Sequence, residues 1–331
     1  MNRQSDRRAF LKAMGHSTAG LALGVLAPGI VFGSLLGAKP TKHASALQGP
    51  MPKRPLGKTG FDVSLLALGG EAAIAKQPGR PSSSAERMIA RALDLGVNCI
   101  DTSPKYGNGL SETHIGEVMK SRRAEVFLAT KTGDRSYDGT MRLAEQSFTR
   151  LQTDHIDLYQ LEDIRSQEEL EQVFSRDGAV RAMERLHSEG AVRFLGIAGE
   201  YDPDVLMHGI ERYPFDAVSI ALNAADIHYR PFQTALLQTA VRHEIAIIAT
   251  RITAMKRLFR NDGLNSMEDA MGYVFSFPVN TAVLNLSHLN ELEQSVRITK
   301  RFTEVYDHEQ LASIEALTEP YKEDANWFKK A

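Results

Sequence analysis

Short, near-continuous apolar runs recur along this chain, and the segments between them place apolar residues three and four apart. Runs of the first kind read as strands buried on both faces, and segments of the second kind as amphipathic helices. The strand-like runs are VSLLALG (63–69), VNCID (97–101), EVFLATK (125–131), HIDLYQLE (155–162), AVRFLGIAG (191–199), FDAVSIAL (215–222), EIAIIAT (244–250) and VNTAVLNL (279–286). Between and after them lie SSAERMIARALDLG (83–96), SETHIGEVMKS (111–121), TMRLAEQSFTRL (140–151), GAVRAMERLHSEG (178–190), DPDVLMHGI (202–210), PFQTALLQTAVRH (231–243), SMEDAMGYVFS (266–276) and NELEQSVRITKRF (290–302). The first of these opens on serines and stops at a glycine, as helices do. This alternation predicts an α/β fold, a (β/α)8 TIM barrel. A short hairpin, PLGKTGFDV, precedes it, and a helical tail, HEQLASIEALTEP then YKEDANWFKKA, follows. A doubly wound open sheet would need a glycine-rich phosphate loop after the first strand, and LALGGEAAIAK is a poor match to one.

Three of the strand-like runs finish in ionisable residues: Asp101, Lys131 and Glu162. Tyr106 follows Asp101 in the loop SPKYGNG. In a parallel barrel the strand C-termini ring one mouth, where chemistry is done, so the pattern gathers two acids, a phenol and an amine around one pocket. A phenol with a pKa near ~10 is a weak acid at neutral pH, and a neighbouring ammonium lowers that value. The residues therefore read as a proton donor, Tyr106, tuned by Lys131, with Asp101 keeping Lys131 charged and oriented. An ion pair that merely closes the barrel end would leave the same trace in the sequence.

Composition changes the picture little. At 331 residues, 43% hydrophobic and 24% charged, the chain has material for one such barrel. A net charge of -2 without a long basic run points away from nucleic acid and anionic membranes, and says little about which small-molecule substrate the site takes. Cys99 is the sole cysteine, which excludes an internal disulfide and a Cys-cluster metal site, and the histidines lack paired ligand spacing. No metal is expected.

The N-terminus matters more. SDRRAFLK (Ser5–Lys12) sets Arg7 and Arg8 before Phe10 and Leu11, a Gly- and Ala-rich apolar run extends from Ala19 to Gly37, and HASA follows with Ala44 and Ala46. This resembles a twin-arginine export signal, residues 1–46, leaving a barrel of residues 47–331. An uncleaved anchor is the other reading, since the apolar run approaches the ~20 residues that span a bilayer. Export would engage the twin-arginine machinery and deliver the protein to the periplasm or beyond, with no stable membrane association after cleavage.

NCIDTSPKYGNGLSE resembles the signature of the aldo-keto reductase superfamily, FLATKTG its third-strand lysine and HIDLYQLED its fourth-strand segment. PLGKTGFDVSLLALGG and EIAIIATRIT also fit, so the likeness spans residues 52–302. It implies reduction of a carbonyl by NADPH or NADH, with Asp101, Tyr106 and Lys131 matching catalytic positions and Tyr106 donating the proton. The departures are informative. Where the family usually has His, this chain has Glu162, which can donate a hydrogen bond only when protonated. In the steroid 5β-reductase branch the same change accompanies reduction of a conjugated C=C bond.

At the positions that hold the nicotinamide amide, the resemblance gives Ala198, Gly199 and Ser219 in place of Ser-Asn and Gln. Thr250, beside Arg251, stands where an aromatic ring often stacks. The eighth strand offers Asn285, Ser287, His288 and the acid Glu291, which would repel a 2′-phosphate if it pointed there and so favours NAD over NADP or weak binding of either. These substitutions leave an alternative open: a redox-decayed lyase, hydrolase or epimerase on a sugar-like substrate, with Glu162 as general acid/base. Trp327 and Phe328 in the tail read either as a cover over the barrel mouth that touches substrate or as a docking anchor, and the weight of aromatics in packing favours the anchor.

Overall fold

Leu56 and the turn after it decide how the barrel is closed from below. β1 (Lys53–Pro55) and β2 (Asp62–Ser64) pair antiparallel, with Lys53 opposite Ser64. The link between them needs Gly57 at φ +51, where a Cβ would meet Ala246 N at 2.7 Å. The hairpin can therefore press directly on the barrel. Leu56, Phe61 and Val63 pack against Phe127, Leu158, Phe194, Ala217 and Ile248, and the Phe61 ring lies edge-on to Phe127 at 5.4 Å.

This computed structural model describes Leu47, residues 49–72, Ile74 and residues 82–330. The expected export signal, residues 1–46, lies outside the described residues. After the hairpin come β3 (Leu66–Gly69), α1 (Ser82–Asp94), β4 (Cys99–Asp101), α2 (Leu110–Arg122), β5 (Phe127–Thr132), α3 (Tyr137–Leu151) and β6 (Ile156–Leu161). Next are α4 (Gln167–Phe174), α5 (Ala179–Ser188), β7 (Val192–Gly199), α6 (Pro203–Arg212), β8 (Ala217–Ala221), α7 (Ala235–Arg242) and β9 (Ala246–Thr250). α8 (Met267–Phe275), β10 (Thr281–Leu284), α9 (Leu289–Arg301), α10 (His308–Thr318) and α11 (Lys322–Ala325) complete the chain. Strands β3 to β10 close into one parallel barrel in sequence order, β10 pairing with β3. The fold is a (β/α)8 TIM barrel with an N-terminal hairpin and a helical tail. Among the described residues no helix is long and apolar enough to cross a membrane.

Two details depart from the apolar pattern. VSLLALG, expected as one strand, breaks at Leu65, whose N–H bonds to Pro52 O. Residues 62–64 belong to the hairpin and only 66–69 to the barrel. α4 was not expected, although QEELEQVF sets Leu170, Val173 and Phe174 at helical spacing and buries the first two. Its start is marked by a cap: Ser166 Oγ accepts from Glu169 N–H at 3.3 Å.

Candidate active site

Asp101 closes β4 and Lys131 lies near the end of β5, two adjacent strands in register. Lys131 Nζ donates to Asp101 Oδ2 at 2.5 Å and to Thr102 O at 2.8 Å. Its Nζ also lies 5.4 Å from the centre of the Tyr106 ring. Burial works against the ammonium, but Asp101, Tyr106 and Glu162 outweigh it and hold the Lys131 pKa above the ordinary lysine value.

The Tyr106 phenol moves the other way from the expectation. Burial pushes its pKa up, and Lys131 offsets only part of that, while Asp101, Glu162 and Glu200 add to the rise. Lys131 thus limits the cost of a phenolate without turning Tyr106 into a stronger acid in the free pocket. The correction is physical: desolvation of the phenolate in a narrow mouth exceeds the gain from one paired cation.

Glu162 follows β6 and points into the same cavity, only 8% exposed. Its Oε2 accepts from Ser103 Oγ at 2.9 Å and lies 3.5 Å from Lys105 Nζ. Arg135 fixes the backbone there, donating to Glu162 O and Asp163 O. Ser103 and Lys105 were not foreseen. Both stand in the loop that carries Tyr106, and only the barrel's curvature brings them to β6.

The cavity at the C-terminal mouth has a volume of about 260 Å³. All four expected catalytic residues line it, as do Ala198, Gly199, Ser219, Thr250, Arg251 and Asn285. Ser287 is not there; it lines an adjoining groove of about 520 Å³ that shares Glu71, Arg251, Val283 and Asn285 with the mouth. Trp327 and Phe328 also line the mouth. They therefore cover the mouth, and the tail is fastened beside them by Lys329, whose Nζ donates to Asp226 Oδ1 at 2.5 Å with both side chains fully buried.

Glu200, immediately after β7, escaped notice in the sequence. It accepts from Arg251 Nε at 2.8 Å, and burial raises its pKa despite that guanidinium. From Arg251 the backbone turns left-handed again at Ala254, Met255 and Lys256, with φ 46, 55 and 69. L-residues resist that conformation by about 1–2 kcal/mol each. The segment is pinned at both ends, by Arg251–Glu200 and by Lys256 Nζ donating to Glu291 Oε1 at 2.7 Å.

Glu291, in the first turn of α9, also accepts from Ser287 N–H at 2.8 Å. Partial burial would raise its pKa, but Lys256 and the Ser287 N–H bring it below the usual carboxylate range. The groove thus presents an anion at the helix N-terminus where the dipole would otherwise favour a phosphate.

Residues 66–272 match the model of the aldo/keto reductase family. The chain belongs to that family. It is 30% identical over 243 residues to the uncharacterized oxidoreductase YqkF of Bacillus subtilis, covering 69% of this chain and 74% of that one. It is 26% identical over 308 residues to L-galactose dehydrogenase of Arabidopsis thaliana, covering 81% of this chain and 95% of that one. Its fold is like that of the aldo-keto reductase AKR11C1 from Bacillus halodurans in its holo form, with TM-score 0.66 and 23% identity over 81% of this chain and 96% of that one. This aldo-keto reductase is therefore an oxidoreductase acting on carbonyls, and membership implies a nicotinamide cofactor.

Proposed function

We propose that this aldo-keto reductase reduces the carbonyl of a small molecule with Tyr106 as proton donor. The observation that carries this reading is Lys131, paired with Asp101, both buried, and set 5.4 Å from the centre of the Tyr106 ring. Tyr106 holds its proton throughout the ordinary pH range and releases it to a substrate oxygen only as negative charge develops there. Lys131 stabilises the resulting phenolate, and Asp101 keeps that ammonium charged and aimed. Glu162, held by Ser103 and Lys105, lines the same cavity, and only its carboxylic acid form has a proton to offer the substrate oxygen.

The reduced nicotinamide, when bound, supplies the hydride to the carbonyl carbon. A dinucleotide in the joined mouth and groove would meet Ala198, Gly199, Thr250, Arg251 and Asn285 at its reactive end, and Ser287 with Glu291 at its adenosine end. Glu291 suits a free ribose hydroxyl and repels a 2′-phosphate, so NADH is the favoured cofactor.

Titration with NADH and NADPH tests the reading, because the only tryptophan, Trp327, lines the mouth and reports binding by quenching. Micromolar binding of NADH followed by turnover of aldehydes or ketones supports it. Absence of binding by either at millimolar concentration sinks it and revives a redox-independent role for Glu162. We also propose periplasmic export through residues 1–46; Arg7→Lys with Arg8→Lys should leave the full-length chain in the cytoplasm, and unchanged export would refute that route.

A further inference from the structure

One buried chain of hydrogen bonds crosses the barrel interior behind the catalytic pair. Ser219 Oγ, on β8, donates to Gln160 Oε1 on β6 at 2.5 Å. Gln160 Nε2 donates to Asp101 Oδ1 on β4 at 3.1 Å, and Asp101 Oδ2 accepts from Lys131. Alternate strands of a parallel barrel supply side chains to one layer, so β4, β6 and β8 can be bridged at a single height. Gln160 is fully buried and Ser219 nearly so.

The orientation of the Gln160 amide is set by chemistry. Turned over, its oxygen would face Asp101 Oδ1, two acceptors without a proton between them. As placed, every polar atom along the chain has a partner, and the Asp101 carboxylate is gripped at both oxygens. Room for Gln160 comes from its neighbour in register, Gly196 on β7. A Cβ at Gly196 would stand 2.9 Å from Gln160 Cγ and 3.1 Å from Ala217 O. The vacancy in one strand and the long amide in the next are thus complementary.

We propose that Gln160 and Ser219 form a positioning relay that locks the Asp101 carboxylate and, through it, holds Lys131 under Tyr106. This assigns Ser219 a role distinct from cofactor contact, since its hydroxyl proton is committed to Gln160. The proposal deepens the reductase reading and rests on it for its effect on turnover. Its physical core, the hold on Lys131, does not. Lys131 is faced by Asp101 and Cys99 on β4, by Tyr106 in the following loop and by Glu162 beyond β6. Of these, Asp101 is the anion that the relay orients, and without the relay it can turn away and let the ammonium go at lower pH.

The test uses Gln160→Leu, which keeps bulk and removes both bonds, Ser219→Ala, which removes only the far one, and Gly196→Ala, which leaves every polar group but crowds Gln160. Thermal unfolding of the cofactor-free proteins is followed from pH 7 to pH 11, and kcat and KM are measured where turnover exists. The relay predicts that Gln160→Leu lowers Tm most at neutral pH and that this deficit narrows above about pH 10, with Ser219→Ala behaving in the same way to a smaller extent. It also predicts a fall in kcat of about 10- to 100-fold with KM and NADH affinity nearly unchanged, as expected of a misplaced catalytic group. Gly196→Ala should resemble Gln160→Leu. A uniform drop in Tm at every pH, with kcat and KM unaffected, would make the chain mere filling and overturn the proposal. If Gln160→Leu fails to fold, Ser219→Ala decides by the same criterion. If the wild type shows no nicotinamide-dependent turnover, the reductase reading fails, while the pH dependence of unfolding still decides the relay.

Discussion

Lys131 Nζ and Asp101 Oδ2 lie 2.5 Å apart with both side chains about 95% buried, each at 5% relative exposure. Removing one charge from such a pair strands the other in a poorly polarisable interior. Asp101→Asn preserves shape and leaves Lys131 without its counter-ion. The expected result is a loss of about 3–5 kcal/mol in unfolding free energy. Turnover should fall by about 10²- to 10⁴-fold, the range associated with a disabled proton donor. Denaturant unfolding and steady-state kinetics on the same preparation check both.

Lys131 and Tyr106 share a direction, both pKa values standing above their ordinary ones. A group whose folded pKa is raised contributes stability below its unfolded pKa and loses it as pH climbs toward the folded one. The unfolded values are about 10 for tyrosine and 10.4 for lysine, so stability should be level through neutral pH and decline above about pH 10. Tyr106→Phe should make that decline shallower. A decline equally steep in this variant would show that other groups govern it.

Glu291 lines the groove proposed above for the adenosine end of the cofactor, and it engages the nearby Lys256. Glu291→Gln removes the anion and frees that ammonium. NADPH affinity should rise by about tenfold, worth about 1.4 kcal/mol, with NADH affinity changing far less. Tryptophan quenching with both dinucleotides measures this, and equal changes for the two would remove Glu291 from cofactor choice.

Glu162 meets Ser103 and Lys105 on one side and the cavity on the other. Glu162→Gln should lower kcat about 10²-fold while cofactor affinity stays put, the pattern of a group acting on the reacting oxygen. Glu162→His, which installs the residue usual in the family, should retain aldehyde reduction and lose any activity toward conjugated C=C bonds. Unchanged turnover in Glu162→Gln would remove this residue from the chemistry.

Much of this protein is legible in one dimension. Buried strands must be apolar on both faces, so eight such runs interleaved with helical periodicity lead to the barrel without any contact map. Asp101, Lys131 and Glu162 stand out for the same reason: charge at the end of an apolar run needs a partner or a purpose. α4 stayed hidden because a single turn of apolar spacing, Leu170, Val173 and Phe174, stands among acids and glutamines, and the break at Leu65 because hairpin and barrel strand are both apolar.

What the sequence alone determined was that Asp101, Tyr106, Lys131 and Glu162 stand at one mouth, since the parallel strands send their ends to one side. Tertiary structure decided their physics. Whether Tyr106 is a stronger or a weaker acid depends on the balance of desolvation against one ammonium, which is a matter of depth and not of sequence spacing. Gln160, Ser219, Glu200 and the tail rings Trp327 and Phe328 likewise gain their places only when residues far apart in the chain close around a common axis. Hydrogen bonds and Coulomb forces act over a few ångströms, and chain separation carries no record of such distances until the barrel shuts.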